Sequence, residues 1–251
     1  MHLIWLEWSL LWLAAWLVLF LTIKDNDIRK EVLGASVLAS VFGLTEPIFV
    51  PRYWDPPSLF NLAQTTGFDI ESFIFAFSVG GIVVGLFERI FSVHHETLEP
   101  GKTKYPRNTS LFTFTIFVFV LFISLLLFLP FNPIYSTIIT LLAGGVLVTY
   151  LRPDLKLKMI TSAILFTAFY LLYFLWFVLF APGYVVQVWD MKALSGVLIF
   201  GIPLEEILFA LGFGFFWSAI HDFYSWRKLE VTGFGFRRFH TKRSMESEKI
   251  N

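Results

Sequence analysis

Seven stretches of about twenty mostly apolar residues leave this chain few folds to adopt. They run Leu3–Ile23, Val32–Val50, Ile70–Phe91, Leu111–Pro130, Pro133–Leu151, Leu157–Phe180 and Leu194–Ile220. Each is about the length a helix needs to cross the hydrocarbon core of a bilayer. In lipid every backbone polar group must be satisfied within the protein, so such stretches fold as helices. The chain is 57% hydrophobic and holds 31 Phe in 251 residues, above the ~45–50% apolar share of soluble domains. The expected fold is therefore all-α: a polytopic membrane helix bundle of about seven transmembrane helices. It forms one domain over residues 1–226, followed by a basic tail over 227–251. The first stretch is too long and too rich in Trp for a signal peptide, and no small-residue cleavage site follows it.

Net charge is zero, which gives no hint of a nucleic-acid partner. Its distribution says more. With seven spans, the loops after spans one, three and five share a side with the C-terminus. That side carries Lys24, Arg29 and Lys30, then Arg89, Lys102, Lys104 and Arg107, then Arg152, Lys156 and Lys158, and seven more from Arg227 to Lys249. The other side has only Arg52 and Lys192. The positive-inside rule then places the N-terminus outside and the C-terminus in the cytoplasm, as in a multi-pass protein of the cell membrane. The absence of Cys removes disulfides, thiolate catalysis and Cys-ligated metal centres.

Two outer loops contain Trp-Asp, as Trp54-Asp55 and Trp189-Asp190, and each leads into a span with an acid near its start. A shift of 134 positions places Glu71 on Glu205, Phe75 on Phe209 and Ala76 on Ala210. We read two parallel three-helix repeats, about 1–91 and 133–224, joined by a connector span at about 111–130. Sites commonly lie at the interface of such repeats. The two Trp-Asp loops form either a lid over a shared cavity or an aromatic belt at the membrane surface.

The last span carries adjacent acids in Pro203-Leu204-Glu205-Glu206-Ile207-Leu208-Phe209. A charge at the centre of a membrane span costs at least ~2.5 kcal/mol, so acids there point to function. Adjacent residues lie about 100° apart around a helix. One glutamate is then expected to line a cavity while the other holds a neighbouring helix or shares its proton. Burial beside a like charge favours keeping a proton on the pair, which makes it a candidate general acid. Phe209, Phe213 and Trp217 follow on these faces and offer ring quadrupoles to a cation. Glu71 is the matching acid of the first repeat, near Phe75. Asp69 reads first as the N-cap of that span, and Glu46 is a further cavity candidate near the outer end of span two. Ala35, Ala39 and Gly43 at four-residue spacing point to close helix packing there. His94-His95 has no partner motif for a metal site. His221-Asp222 and Glu88-Arg89 read as helix-end features. There is no Gly-rich dinucleotide fingerprint or phosphate loop. Asp25-Asn26-Asp27 lacks the second aspartate cluster that a magnesium diphosphate site requires. No metal and no cofactor are expected.

The run Ile202-Pro203-Leu204-Glu205-Glu206-Ile207-Leu208-Phe209 resembles the Pro-Leu-Glu-Glu-x-x-Phe signature of the small membrane lycopene cyclases. The Trp-Asp loops and the acid-bearing third and last spans share in the resemblance. It implies a carotenoid-end cyclase: a non-redox, proton-initiated isomerisation of an apolar substrate dissolved in membrane lipid. It also implies Glu205 and Glu206 as acid and partner, with Glu71 as the corresponding acid of the first repeat. Glu46, Trp54, Asp69, Phe75, Phe209, Phe213 and Trp217 would surround the substrate. The first half departs from the family pattern. It reads Phe68-Asp69-Ile70-Glu71-Ser72, with neither the proline nor the second glutamate. The family's heterodimeric members leave room for a homo- or hetero-oligomer. The competing reading is a proton-coupled carrier, or a non-catalytic isoprenoid-binding membrane subunit, that uses the same carboxylates.

Overall fold

A computed structural model describes residues 3–98 and 105–234. Among the described residues, seven helical segments are long and apolar enough to cross a membrane: Ile4–Thr22, Asn26–Phe49, Ile70–Ile90, Arg107–Phe128, Pro133–Leu151, Pro153–Phe180 and Leu204–Ser225. The protein is thus the polytopic helix bundle expected from its hydropathy.

Helix α1 (Ile4–Thr22) is followed after a tight turn by α2 (Asn26–Ser40). Asp25 caps α2 by accepting from the backbone N–H groups of Asp27 and Ile28. The cap starts this span six residues before the apolar run, drawing Arg29, Lys30 and Glu31 into the helix. The second span then tightens into a 3₁₀ segment, Val41–Thr45, and finishes as α3 (Glu46–Phe49). A loop containing α4 (Leu62–Thr66) leads to α5 (Ile70–Ile90) and strand β1 (Phe91–Thr97). The fourth span, α6 (Arg107–Phe128), buries only Ser110 and Phe114. Most of its Phe- and Leu-rich surface is left for lipid.

The second half begins with α7 (Pro133–Leu151), which has Pro133 in its first turn and Asn132 as N-cap. Helix α8 (Lys156–Phe180) and the short α9 (Tyr184–Val188) follow. Next come strands β2 (Leu198–Ile199) and β3 (Ile202–Pro203), then α10 (Leu204–Trp217), α11 (Ile220–Ser225) and β4 (Arg227–Phe234). Residues 194–203 do not belong to the last span. They form a loop and a small hairpin whose central Phe200 and Gly201 both have positive φ, the sign pattern of a type I′ turn. Pro203, with its fixed φ, stands as N-cap of α10.

The two halves share a packing plan. In the first, α5 lies against α1 and α2; in the second, α10 lies against α7 and α8. Glycines allow the close approaches. A Cβ on Gly80 would collide with Ala39, and one on Gly145 with Phe215. The small-residue spacing around Ala39 and Gly43 is therefore a packing seam: Gly43 abuts Phe73 of α5.

The basic tail is more ordered at its start than its composition implies. Strand β4 pairs antiparallel with β1, matching Phe91 to Phe234 and Thr97 to Arg227. The side chains of His94 and His95, the basic residues Lys102 and Lys104, and the tail from residue 235 onward lie outside the described residues. Two cations counted above as loop charges, Arg152 and Lys158, are fully buried.

Candidate active site

The two Trp-Asp loops meet directly. Trp54 and Trp189 form an antiparallel β-bridge. Asp55 N–H donates to Val188 O and Asp190 N–H to Tyr53 O, each at 2.9 Å. The indoles of Trp54 and Trp189 lie 5.4 Å apart, and Trp5 meets Trp54 edge-on at 4.5 Å. This paired roof covers a cavity of about 720 Å³. Its walls come from α1, the second span, α5, α6, α7, α8 and α10. Aromatic rings dominate them, and among the described residues the lining holds no Lys, Arg or His and, as carboxylates, only Glu46 and Glu206.

Glu206 is 5% exposed. Its carboxylate accepts from the phenols of Tyr53 and Tyr170 and, at 2.9 Å, from the indole N–H of Trp189. All three partners are neutral. Burial, reinforced by the adjoining carboxylate, pushes the Tyr53 phenol well above its ordinary value, so this loop residue stays a donor. Helix α10 continues the wall with a ladder of rings: Phe209 stacks on Phe213 at 5.6 Å, and Phe213 on Trp217 at 5.6 Å. Phe75 faces Trp5 and Trp12 at 5.4 and 5.7 Å.

Glu46 enters from the opposite half. It opens α3, immediately after the 3₁₀ segment, and is 6% exposed. Ser72 and Trp54 lie beside it. Its Oε1 is buried with no hydrogen-bond partner.

Of the anticipated site residues, Glu46, Trp54, Phe75, Glu206, Phe209, Phe213 and Trp217 line this cavity, and Glu205, Glu71 and Asp69 do not. Glu205 accepts from Tyr135 Oη at 2.6 Å and from Ser195 N–H at 2.8 Å, tying the hairpin loop and α7 to α10. Glu71 accepts from Leu59 N–H at 2.7 Å and so ties the loop that precedes α5 to that helix. Asp69 caps α5 by accepting from Ser72 N–H. Burial pushes its carboxyl upward, partly offset by the hydrogen bonds from Ser72.

Sequence reasoning passed over Tyr53, Tyr170 and the Trp5, Trp8 and Trp12 face of α1. The tryptophans carried a signal, since spacings of three and four put them on one side of a helix. Tyr170 carried none, being one hydroxyl in a long apolar run.

A second buried cluster sits at the opposite end of the bundle. Lys158 Nζ contacts Glu88 at 2.7 Å, Asp222 at 2.8 Å and Glu31 at 3.2 Å. His221 Nδ1 lies 3.4 Å from Glu31. Glu88 and Asp222, read from sequence as helix-end features, converge here on one lysine, because α2, α5, α8 and α11 bring their ends together.

The fold and cavity define a class: an integral membrane helix bundle enclosing an aromatic chamber with buried carboxylates. The sequence model of the lycopene cyclase family matches residues 132–224. That stretch covers the fifth to seventh spans, including both Glu205 and Glu206, and supports a lycopene cyclase domain in this half of the protein. No curated protein and no solved structure matches the chain.

Proposed function

We propose that the protein is a carotenoid end-group cyclase acting on a lycopene-type substrate. The observation that carries this reading is the setting of Glu206. It is a carboxylate held by neutral donors on the wall of an aromatic chamber, within the segment that matches the lycopene cyclase family.

The chamber suits an apolar polyene. Leu38, Val41, Phe42 and Phe119 line it while being 43–66% exposed, so it reaches the lipid-facing surface between the second span and α6. A substrate dissolved in the bilayer enters there end-first. Proton transfer from a cavity carboxylic acid to the terminal double bond creates a tertiary cation. The neighbouring double bond attacks it, and a six-membered ring closes. Loss of a proton to a carboxylate restores neutrality, leaving an isomer of the starting material. The rings of Trp54, Trp189, Phe209 and Phe213 stabilise the passing cation through their faces, and the dry walls withhold the water that would quench it. Glu205 and Glu71 hold the outer loops in place instead of facing the substrate. Their matching bonds to loop N–H groups, and the shared packing of the two halves, support the internal repeat.

The carrier reading is less well supported. Between Glu206 and the Lys158 cluster, α10 presents the stacked rings of Phe209, Phe213 and Trp217 and no ionisable side chain.

The test is expression in a lycopene-accumulating bacterium, with pigments analysed by chromatography and mass spectrometry. Ring-containing isomers of unchanged mass are expected. Persistence of linear lycopene, despite well-inserted protein, refutes autonomous lycopene cyclisation.

A further inference from the structure

Building on the cyclase reading, we propose that the two cavity carboxylates divide the proton chemistry: Glu46 is the acid that starts the reaction, and Glu206 is the carboxylate that shelters the cation and takes the final proton.

The hydrogen-bond inventory separates the two groups. Glu206 Oε1 accepts from Tyr53 and Trp189, and Oε2 from Tyr170. An indole N–H can only donate. Three donors aimed at one carboxyl group favour its ionised, acceptor-only form. A proton placed on Glu206 would compete with donors already seated there.

Glu46 is served by fewer donors. Ser72 and Trp54 lie beside its carboxyl, but its Oε1 is buried and without a hydrogen-bond partner, in a wall whose described residues include no cationic side chain. An isolated ionised carboxylate in such a place is very costly, and the group avoids the cost by keeping its proton. The O–H then has no protein acceptor on that oxygen and is available to a substrate double bond.

The backbone supports the same assignment. The second span leaves regular α geometry at Val41–Thr45 and resumes it at Glu46, with Pro47 next. Mid-span 3₁₀ segments often mark functional positions, and irregular backbone at membrane depth is tolerated where it lines a cavity. Here it sets a carboxyl in the wall. Trp54 lies beside Glu46 and packs on Trp189, which donates to Glu206. The indole pair therefore bridges the donor and the acceptor.

The proton balance is closed. One proton leaves Glu46 and forms a C–H bond with the terminal alkene. The ring C–C bond forms from the next alkene, and one C–H bond then gives its proton to Glu206. Between turnovers Glu206 gives that proton up to water and Glu46 takes up another from water, which resets the site, and no oxidant or reductant is consumed.

Membranes containing wild-type protein, Glu46→Gln, Glu46→Asp or Glu206→Gln, at matched levels and with melting temperatures checked, would be incubated with lycopene in phosphatidylcholine vesicles in D₂O. Wild-type protein should add one deuterium per ring. Glu46→Gln should lose ring formation by at least ~100-fold, the scale of a general acid, and Glu46→Asp should recover part of it. Glu206→Gln should still form some cation, and its residual products should shift toward displaced ring double bonds or hydrated rings. Ring formation by Glu46→Gln at the wild-type rate overturns the assignment. So does a Glu206→Gln variant that is slow but yields the wild-type product pattern. Wild-type protein that forms no rings overturns the cyclase reading on which the assignment rests.

Discussion

Carboxylates are buried at both ends of this bundle, but their partners differ. At one end, Glu31, Glu88 and Asp222 gather around the ammonium of Lys158. At the other, Glu206 is held by two phenols and an indole, and Glu46 has an oxygen with no partner at all. Opposite charge holds the first group together. A buried pair of this kind resists the loss of either partner because the remaining charge is stranded. The second group has no cation among the described residues of its wall to compensate it. In the proposed mechanism it gains and loses a proton beside the aromatic chamber. Burial alone does not identify a functional acid; the identity of its neighbours does.

The contrast can be broken from either end. The largest expected effect is on catalysis. Glu206→Gln should keep the fold, since an amide oxygen still accepts hydrogen bonds, yet should lower ring formation by roughly 10²–10⁴-fold. Pigment analysis at matched membrane levels reads this directly. An equal loss of folded protein would instead make Glu206 a structural group like those around Lys158.

Lys158→Met should do the reverse. It strips three buried carboxylates of their shared ammonium, and the loss is on the order of 3–5 kcal/mol. Denaturation in detergent micelles measures it. Combining it with Glu31→Gln, Glu88→Gln and Asp222→Asn should restore part of the stability, because these carboxylates are then no longer left facing one another without the ammonium. A failure to recover would show that packing, not charge, holds that end together.

Smaller effects sharpen the line between the adjacent glutamates. Glu205→Gln retains an acceptor for Tyr135 and Ser195 and should cost about 1 kcal/mol, the size of an ordinary net hydrogen bond. Ring formation should fall less than tenfold. A loss matching that of Glu206→Gln would move Glu205 into the chemistry. Phe213→Leu removes the middle ring of the α10 ladder and should cost ~0.5–1.5 kcal/mol in ring contacts. A larger drop in product than in stability would place the cation against that ring.

Much of this was legible in the chain. The apolar runs had to become helices, because lipid offers no partner for open backbone, and their number was right. Pro203-Leu204-Glu205-Glu206 pointed to the acidic span, and helical geometry already required its two glutamates to face different surroundings. The end of the last loop was harder to read. Residues 194–203 are apolar enough to pass for helix, and only the positive φ at Phe200 and Gly201 shows a turn there. Hydropathy reports a preference for lipid but is silent about backbone direction.

Sequence spacing fixed which residues share a helix face, and with it the Trp-rich side of α1 and the ring ladder of α10. It could not choose between Glu205 and Glu206, raise Glu46 above the other acids, or bring Tyr53 and Tyr170 to one carboxylate across 153 and 36 positions. Those outcomes depended on how helices far apart in the chain pack side by side. A carboxyl's chemistry is set by the donors and cations within a few ångströms of it, and those neighbours come from other segments of the chain.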